Sequence, residues 1–275
     1  MTQNKYYTVT LTTLEPLRVG GKEDPLSAAD QALSAVGGRV CIPGATLKGA
    51  YRSELEKWLW DTYFEKVPGK WKHPCLRPCI PSNQLSRDEG ALQEKHRYRG
   101  GGCSYNTSKR KWKEDNVRKE TDDIAVCPVC YLLGSMGLVG FINVPFLFTN
   151  VSYEALYSAR IERASGTVMK HANRGYQLIP PDTIFSGELE VLTRDDFLGW
   201  EIGKQRPLKE NPKADAWLDE SKTPDGQPWN ADTLLNYMVL DRLRAIGRIG
   251  GYRSKGFGKV KIDVKEMSPS ASSTA

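Results

Sequence analysis

The sequence predicts an α+β fold with a ferredoxin-like core: one sheet, helices on one face, and large insertions. Three observations lead there. Segments of period-2 and period-3.6 hydrophobicity follow one another as strand, strand, helix, then strand, strand, helix, strand. The middle of the chain, about 67–130, is dense in Pro, Gly, Cys and basic residues and lacks apolar periodicity. A glycine-rich basic segment joins the last helix to the last strand, an order opposite to that of a doubly wound nucleotide-binding fold.

Taken in order, Tyr6 to Leu17 alternates Tyr7, Val9 and Leu11 with polar residues and reads as a half-buried strand. A loop from Gly20 to Gly38 leads to a short strand, Arg39 to Ile42. A helix begins near Thr46 and ends before Pro68-Gly69, with Leu47, Tyr51, Leu55, Trp58 and Leu59 as its apolar stripe. After the insertion, the apolar run Leu138 to Thr149 is interrupted by Pro145, as in an edge or bulged strand. Ser158 to Gln177 is polar and basic between strand-like flanks, the pattern of a projecting hairpin. A strand over Thr183 to Leu192, an excursion at about 195–230, and a helix from Asp232 to Ile246 follow. Lys259 to Val264 closes the sheet, and the low-complexity tail 268–275 is expected to be disordered. The expectation is a single domain over 1–267.

Composition excludes some classes. With 275 residues, 39% hydrophobic and 26% charged, the chain fits a soluble globular protein able to bury a core. No apolar run approaches the roughly 20 residues of a membrane span, and the first residues lack a secretory signal, so a cytoplasmic location and no membrane partner are expected. The net charge of +6 is modest, but it is concentrated. Lys95 to Lys119 holds nine basic residues against Glu114 and Asp115, and Arg242 to Lys261 holds seven and no acid. Two basic segments on an otherwise acidic body point to a phosphate-rich partner.

Five of the six cysteines, Cys75, Cys79, Cys103, Cys127 and Cys130, fall in the middle third, whereas Cys41 lies in an apolar strand. Cys127-Pro128-Val129-Cys130 has the two-residue spacing with which both thiolates chelate one Zn²⁺. Cys75 and Cys79 complete a four-thiolate site, with Cys103 and His96 as the alternatives for one or both positions. The expected ion is a structural Zn²⁺ that pins an insertion too poor in apolar residues to hold itself.

Gly250, Gly251, Gly256 and Gly258 surround Arg253 and Lys255. Glycine lets backbone N–H groups approach an anion closely, and the two cations add charge. Because a helix precedes and a strand follows, the backbone of an extended nucleic acid fits better than a mononucleotide.

This segment occurs in order with Leu14-Glu15-Pro16-Leu17-Arg18-Val19-Gly20-Gly21, with Ile42-Pro43-Gly44-Ala45-Thr46-Leu47-Lys48-Gly49-Ala50-Tyr51-Arg52, and with Cys127 to Ser135. Arg160-Ile161-Glu162-Arg163 followed by Gly166-Thr167 adds a further match. Together they resemble the repeat-associated mysterious protein (RAMP) superfamily and, more narrowly, Cas7-type backbone subunits of type III CRISPR effector complexes. The resemblance implies an RRM-type ferredoxin-like fold with a thumb hairpin at about 153–182. It implies CRISPR RNA held by Arg18, Lys48, Arg52, Gly250, Gly251, Arg253, Lys255 and Gly256, and thumb contacts from Arg160, Arg163, Lys170 and His171. It also implies complementary target RNA and neighbouring Cas7-type, Cas5-type, Cas11-type and Cas10-type subunits as partners.

In cleaving members of the family an Asp in the loop before the second strand supports cutting of target RNA, and Asp30 occupies that place in Ala29-Asp30-Gln31-Ala32-Leu33. Attack by the target's 2′-hydroxyl would be assisted there by Mg²⁺ or another divalent ion. The competing readings are a scaffold subunit without catalysis and a stand-alone zinc-containing single-stranded RNA-binding protein. A guide-processing nuclease of the superfamily is disfavoured, because no histidine precedes His73.

Overall fold

Alternation decides the first strand. In the computed structural model, β1 (Thr2–Thr13) buries Tyr7, Val9, Leu11 and Thr13 and leaves the residues between them half-buried. The structure describes residues 1–20, 32–67, 69–80, 90–91, 98, 102–103, 126–159, 161–169, 174–208 and 212–268. The strand starts earlier than the alternation alone predicts. Beyond Thr13 the chain bends at Leu14–Glu15 and is tied by two isolated bridges, Leu17 to Ile179 and Gly20 to Leu33.

A hairpin of β2 (Ala35–Val36) and β3 (Arg39–Ile42) precedes helix α1 (Gly44–Tyr63). The small β4 (Phe64–Glu65) and β5 (Lys70–Trp71) follow, then a 3₁₀ turn Pro74–Leu76 and helix α2 (Pro128–Leu133). The apolar run around Pro145 becomes two short strands, β6 (Ile142–Asn143) and β7 (Leu147–Phe148). β8 (Glu154–Ser158) and β9 (Arg174–Leu178) form the expected hairpin, with Glu154 opposite Leu178 and Ser158 opposite Arg174. β10 (Ile184–Asp195), β11 (Trp200–Glu201) and the last strand β12 (Val260–Glu266) complete the sheet. Among the described residues no helix is long and apolar enough to cross a membrane.

Strand neighbours run β12-β1-β10-β7-β3-β2. Read with the two helical regions, the chain order β1, α1, β7, β10, helix, β12 is βαββαβ, the ferredoxin-like pattern, with the β2–β3 hairpin added beside β7. The pairs β1–β12, β10–β7, β3–β7 and β2–β3 are antiparallel.

The chain divides into two compact units, each assembled from separate stretches. One comprises Met1–Tyr6, Tyr51–Asn143 and Glu190–Arg242. Its core takes Tyr51, Leu55, Leu59 and Tyr63 from α1, every side chain of α2, and Trp217, Trp229, Leu234 and Met238. Spacing of four residues along α1 is what puts those side chains on one stripe. The excursion is anchored here: Arg206 and Asp215, both fully buried, pair at 2.7 Å, and the guanidinium lies over the Tyr131, Phe141 and Trp200 rings.

The helical region after Asn230 differs from the uniform α-helix that its periodicity predicts. Asn230 caps it in a reciprocal capping box with Thr233. Leu235–Leu240 then widens into a π-helix before α-helix resumes over Asp241–Arg244. The wider turn changes carbonyl partnering, and side chains supply donors: the Tyr51 hydroxyl to the Met238 carbonyl (2.9 Å) and Arg242 Nε to the Tyr237 carbonyl (3.1 Å).

The other unit comprises Tyr7–Ala50, Val144–Leu189 and Leu243–Ala275. Val9, Leu11, Ile42, Leu47, Leu147, Phe185, Ile262 and Val264 form its core. It carries the glycine-rich segment and the β8–β9 hairpin.

Candidate functional site

The glycine-rich segment is fastened at both ends to the stretch Pro16–Arg18. Gly251 N donates to the Arg18 carbonyl and Gly258 N to the Pro16 carbonyl, each at 2.9 Å, and Ile249 N bonds the Gly258 carbonyl, also at 2.9 Å. Gly250 has φ +85°, and a Cβ there would lie 2.3 Å from the Arg18 carbonyl oxygen. Only glycine permits both the left-handed backbone and this approach. Gly250→Ala is therefore expected to destabilise the protein by about 1–3 kcal/mol and to loosen the Arg18 contact. Thermal unfolding and an RNA-binding titration of the variant check both effects.

Between the anchors the chain makes one 3₁₀ turn, Arg253–Lys255, whose three residues and the following Gly256 are exposed. Tyr252, which precedes the turn, sits at φ +57°, a region a bulky side chain rarely enters. Its ring faces two cations: the Arg18 guanidinium carbon is 5.1 Å from the ring centroid and Lys255 Nζ 4.8 Å. Tyr176 and Phe257 support that ring edge-on, at 5.9 and 6.0 Å. Among the described residues Arg18 Nε is buried without a hydrogen-bond partner. Arg18 and Lys255 lie against one aromatic ring beside an exposed turn, an arrangement of cations that could meet an extended polyanion.

The structure thus brings Arg18, Gly250, Gly251, Arg253, Lys255 and Gly256 together. Tyr252, which the sequence reading passed over, is the residue that organises them; an aromatic next to basic residues in a glycine-rich loop was the available signal. The basic segment is not one uniform phosphate surface, however. Arg248 is committed to the Glu15 carboxylate (2.8 and 3.1 Å) and the Phe257 carbonyl, Arg244 to the Val264 carbonyl, and Arg242 to the Tyr237 carbonyl and the Trp58 ring. These cations satisfy backbone carbonyls and a carboxylate near the end of the helix and around the loop.

Lys48 is exposed on α1 in the same unit. Arg163 is exposed within the turn 161–169, which is closed by the Ile161–Val168 bridge and a 2.9 Å bond from Glu162 N to the Thr167 carbonyl. Asp30, Arg160, Lys170, His171 and His96 lie outside the described residues.

The cysteines gather in the other unit. Cys127 caps α2 in extended conformation with Pro128 at the first turn, and Cys130 follows within that turn. Cys79, Cys103, Cys127 and Cys130 are all buried, with their Sγ atoms within 4.8 Å of one another. Cys79 and Cys130 approach to 3.4 Å, Cys127 and Cys79 to 3.7 Å, and Cys127 N donates to Cys103 Sγ at 3.3 Å. Four sulfurs about 2.3 Å from one tetrahedral Zn²⁺ stand about 3.8 Å apart, so the cluster fits a single ion. The set corrects the preferred pairing. Cys75 is outside it: in the turn Pro74–Leu76 the buried position goes to Leu76, leaving Cys75 half-exposed, and Cys103 takes the fourth place.

Hydrogen bonding with Cys103 and Cys127, together with burial, holds the Cys79 and Cys130 thiols well above the ordinary thiol range. A dication reverses that preference by binding the thiolates. Arg52, expected beside guide phosphates, is here instead. Its Nε pairs with Glu56 at 2.7 Å, and its Nη2 donates to the Cys79 carbonyl at 3.0 Å and approaches Cys79 Sγ at 3.8 Å. The i, i+4 spacing of Arg52 and Glu56 reads in sequence as an ordinary surface pair; only the packing of Cys79 against α1 reveals otherwise.

The model of the RAMP superfamily matches residues 10–261, a span from β1 to β12. No curated protein matches the chain.

Proposed function

The chain belongs to the RAMP superfamily, and on that premise we propose that it is a CRISPR-RNA-binding backbone subunit of a type III effector complex. The observation that carries this reading is the anion site around Tyr252, where Arg18 and Lys255 converge on one ring beside a turn with an exposed backbone. Such a site grips the sugar–phosphate chain without reading bases, as a subunit that lines up along any guide must. Lys48, Arg160, Arg163, Lys170 and His171 extend the contact to guide and target. The four-cysteine cluster holds a structural Zn²⁺ in the other unit. The partners are CRISPR RNA, complementary target RNA and neighbouring subunits of the effector complex, and the setting is the cytoplasm.

Purification of the protein with its bound nucleic acid, followed by sequencing, tests the reading. Repeat-derived guide RNA is the expected cargo; a nucleic-acid-free monomer overturns it. Cleavage of target RNA is assigned to Asp30 with Mg²⁺ or another divalent ion. Asp30→Ala is expected to abolish cleavage, a loss of at least about 100-fold, while RNA affinity stays at the wild-type level. Unchanged cleavage would make the protein a scaffold whose cutting occurs in another subunit.

A further inference from the structure

An arginine largely withdrawn from solvent against Cys79 needs a reason. Arg52 keeps 17% of its side-chain surface exposed and Glu56 only 11%, so this is not a solvated helix pair. A buried ion pair persists when its remaining hydrogen-bonding groups are also satisfied. Here the guanidinium is used along its length: Nε to Glu56, and Nη2 to the Cys79 carbonyl with the Cys79 sulfur beyond it. Glu56 is held in turn, because the Tyr98 hydroxyl donates to its second oxygen at 3.0 Å. Tyr98 lies in the insertion between Cys79 and Cys103, so the chain Tyr98–Glu56–Arg52–Cys79 ties α1 to the loop that supplies two of the four cysteines.

We propose that Arg52 is a positioning residue of the metal centre, a cation that steadies the Cys79 thiolate by N–H···S donation while Glu56 and Tyr98 hold its guanidinium in place. The proposal rests on reading the four cysteines as a single-ion site. Four thiolates on one dication leave two negative charges in a buried setting, where unbalanced charge is costly. The Arg52–Glu56 pair is balanced in net charge, but it aims a guanidinium N–H at Cys79 and so gives that thiolate a local donor without displacing a ligand. Lysine at the same position would keep the charge but lose the planar fork that serves Glu56 and Cys79 at once.

The test uses the full-length protein and two ions, Zn²⁺ in competition with a chromophoric chelator and Co²⁺ as a spectroscopic replacement. Arg52→Met is expected to weaken Zn²⁺ binding by roughly 10–100-fold and to shift the sulfur-to-cobalt charge-transfer band. Arg52→Lys is expected to recover part of the affinity. Wild-type affinity and an unshifted band in Arg52→Met, with the wild type binding normally, overturn the role of Arg52 alone. A wild type that takes up neither ion overturns the metal centre and this role with it. Should Arg52→Met fail to fold, Glu56→Gln gives the same reading: it keeps the arginine and loosens its fork, so weaker binding and a smaller band shift are expected, and an unaltered variant overturns the proposal.

Discussion

Replacement of Arg18, Arg253 and Lys255 together by alanine is expected to lower affinity for single-stranded RNA by roughly 100- to 1000-fold. Each charge-assisted contact contributes about 1.5 kcal/mol, so the loss of two or three amounts to about 3–4.5 kcal/mol, with about 1.4 kcal/mol per factor of ten. The salt dependence carries the sharper signature. Three lost phosphate contacts should flatten the slope of log K against log salt by about 2, which fluorescence anisotropy over a salt series measures directly. Because Arg253 and Lys255 are exposed, their double variant retains the fold and isolates the electrostatic part. An unchanged slope would mean that the loop does not touch the RNA backbone. Arg248 is the informative contrast. It is engaged by Glu15 and by the Phe257 carbonyl, so its replacement should act first on stability and only weakly on the salt slope.

With Zn²⁺ in the four-cysteine cluster, as proposed, chelation is expected to have the largest effect on stability. Cys79, Cys103, Cys127 and Cys130 are buried together, and the stretch from Cys79 to Cys127 has few apolar residues with which to hold itself. In a site of this kind binding free energy is folding free energy. A loss on the order of 5 kcal/mol, at about 2–4 °C per kcal/mol for a chain of this size, corresponds to a drop in Tm of roughly 10–20 °C on chelation. Differential scanning calorimetry of the protein with and without a strong chelator, and after restoring Zn²⁺, checks it. Cys103→Ser should reproduce much of the loss, whereas Cys75→Ser should leave Tm within about 1 °C of the wild type. Equal effects of the two substitutions would contradict the ligand set read from the structure.

Much of the architecture was legible in local pattern. Arg39–Ile42 forms the strand its residues predict, the apolar stripe of α1 is buried at Leu47, Tyr51, Leu55 and Leu59, and the hairpin forms at the polar, basic stretch. Other features were not. The π-helical turn Leu235–Leu240 shares its apolar spacing with an ordinary α-helix, and its widened backbone is stabilised by Tyr51, nearly two hundred residues earlier in the chain. The run of basic residues from Arg242 to Lys261 looks like one charged surface until the partners of Arg242, Arg244 and Arg248 are located.

By itself the sequence determined the main strands and helices of the sheet core, the CxxC half of the cysteine cluster and the glycine-rich loop. Each of these is set by the backbone preferences and periodicity of neighbouring residues. Only the tertiary structure decided that Cys103 rather than Cys75 joins Cys79, that Arg52 lies against Cys79, and that Arg18 shares the Tyr252 ring with Lys255. Ligand sets and charge partners are matters of distance through space. Residues far apart along the chain acquire those distances only once the core has packed.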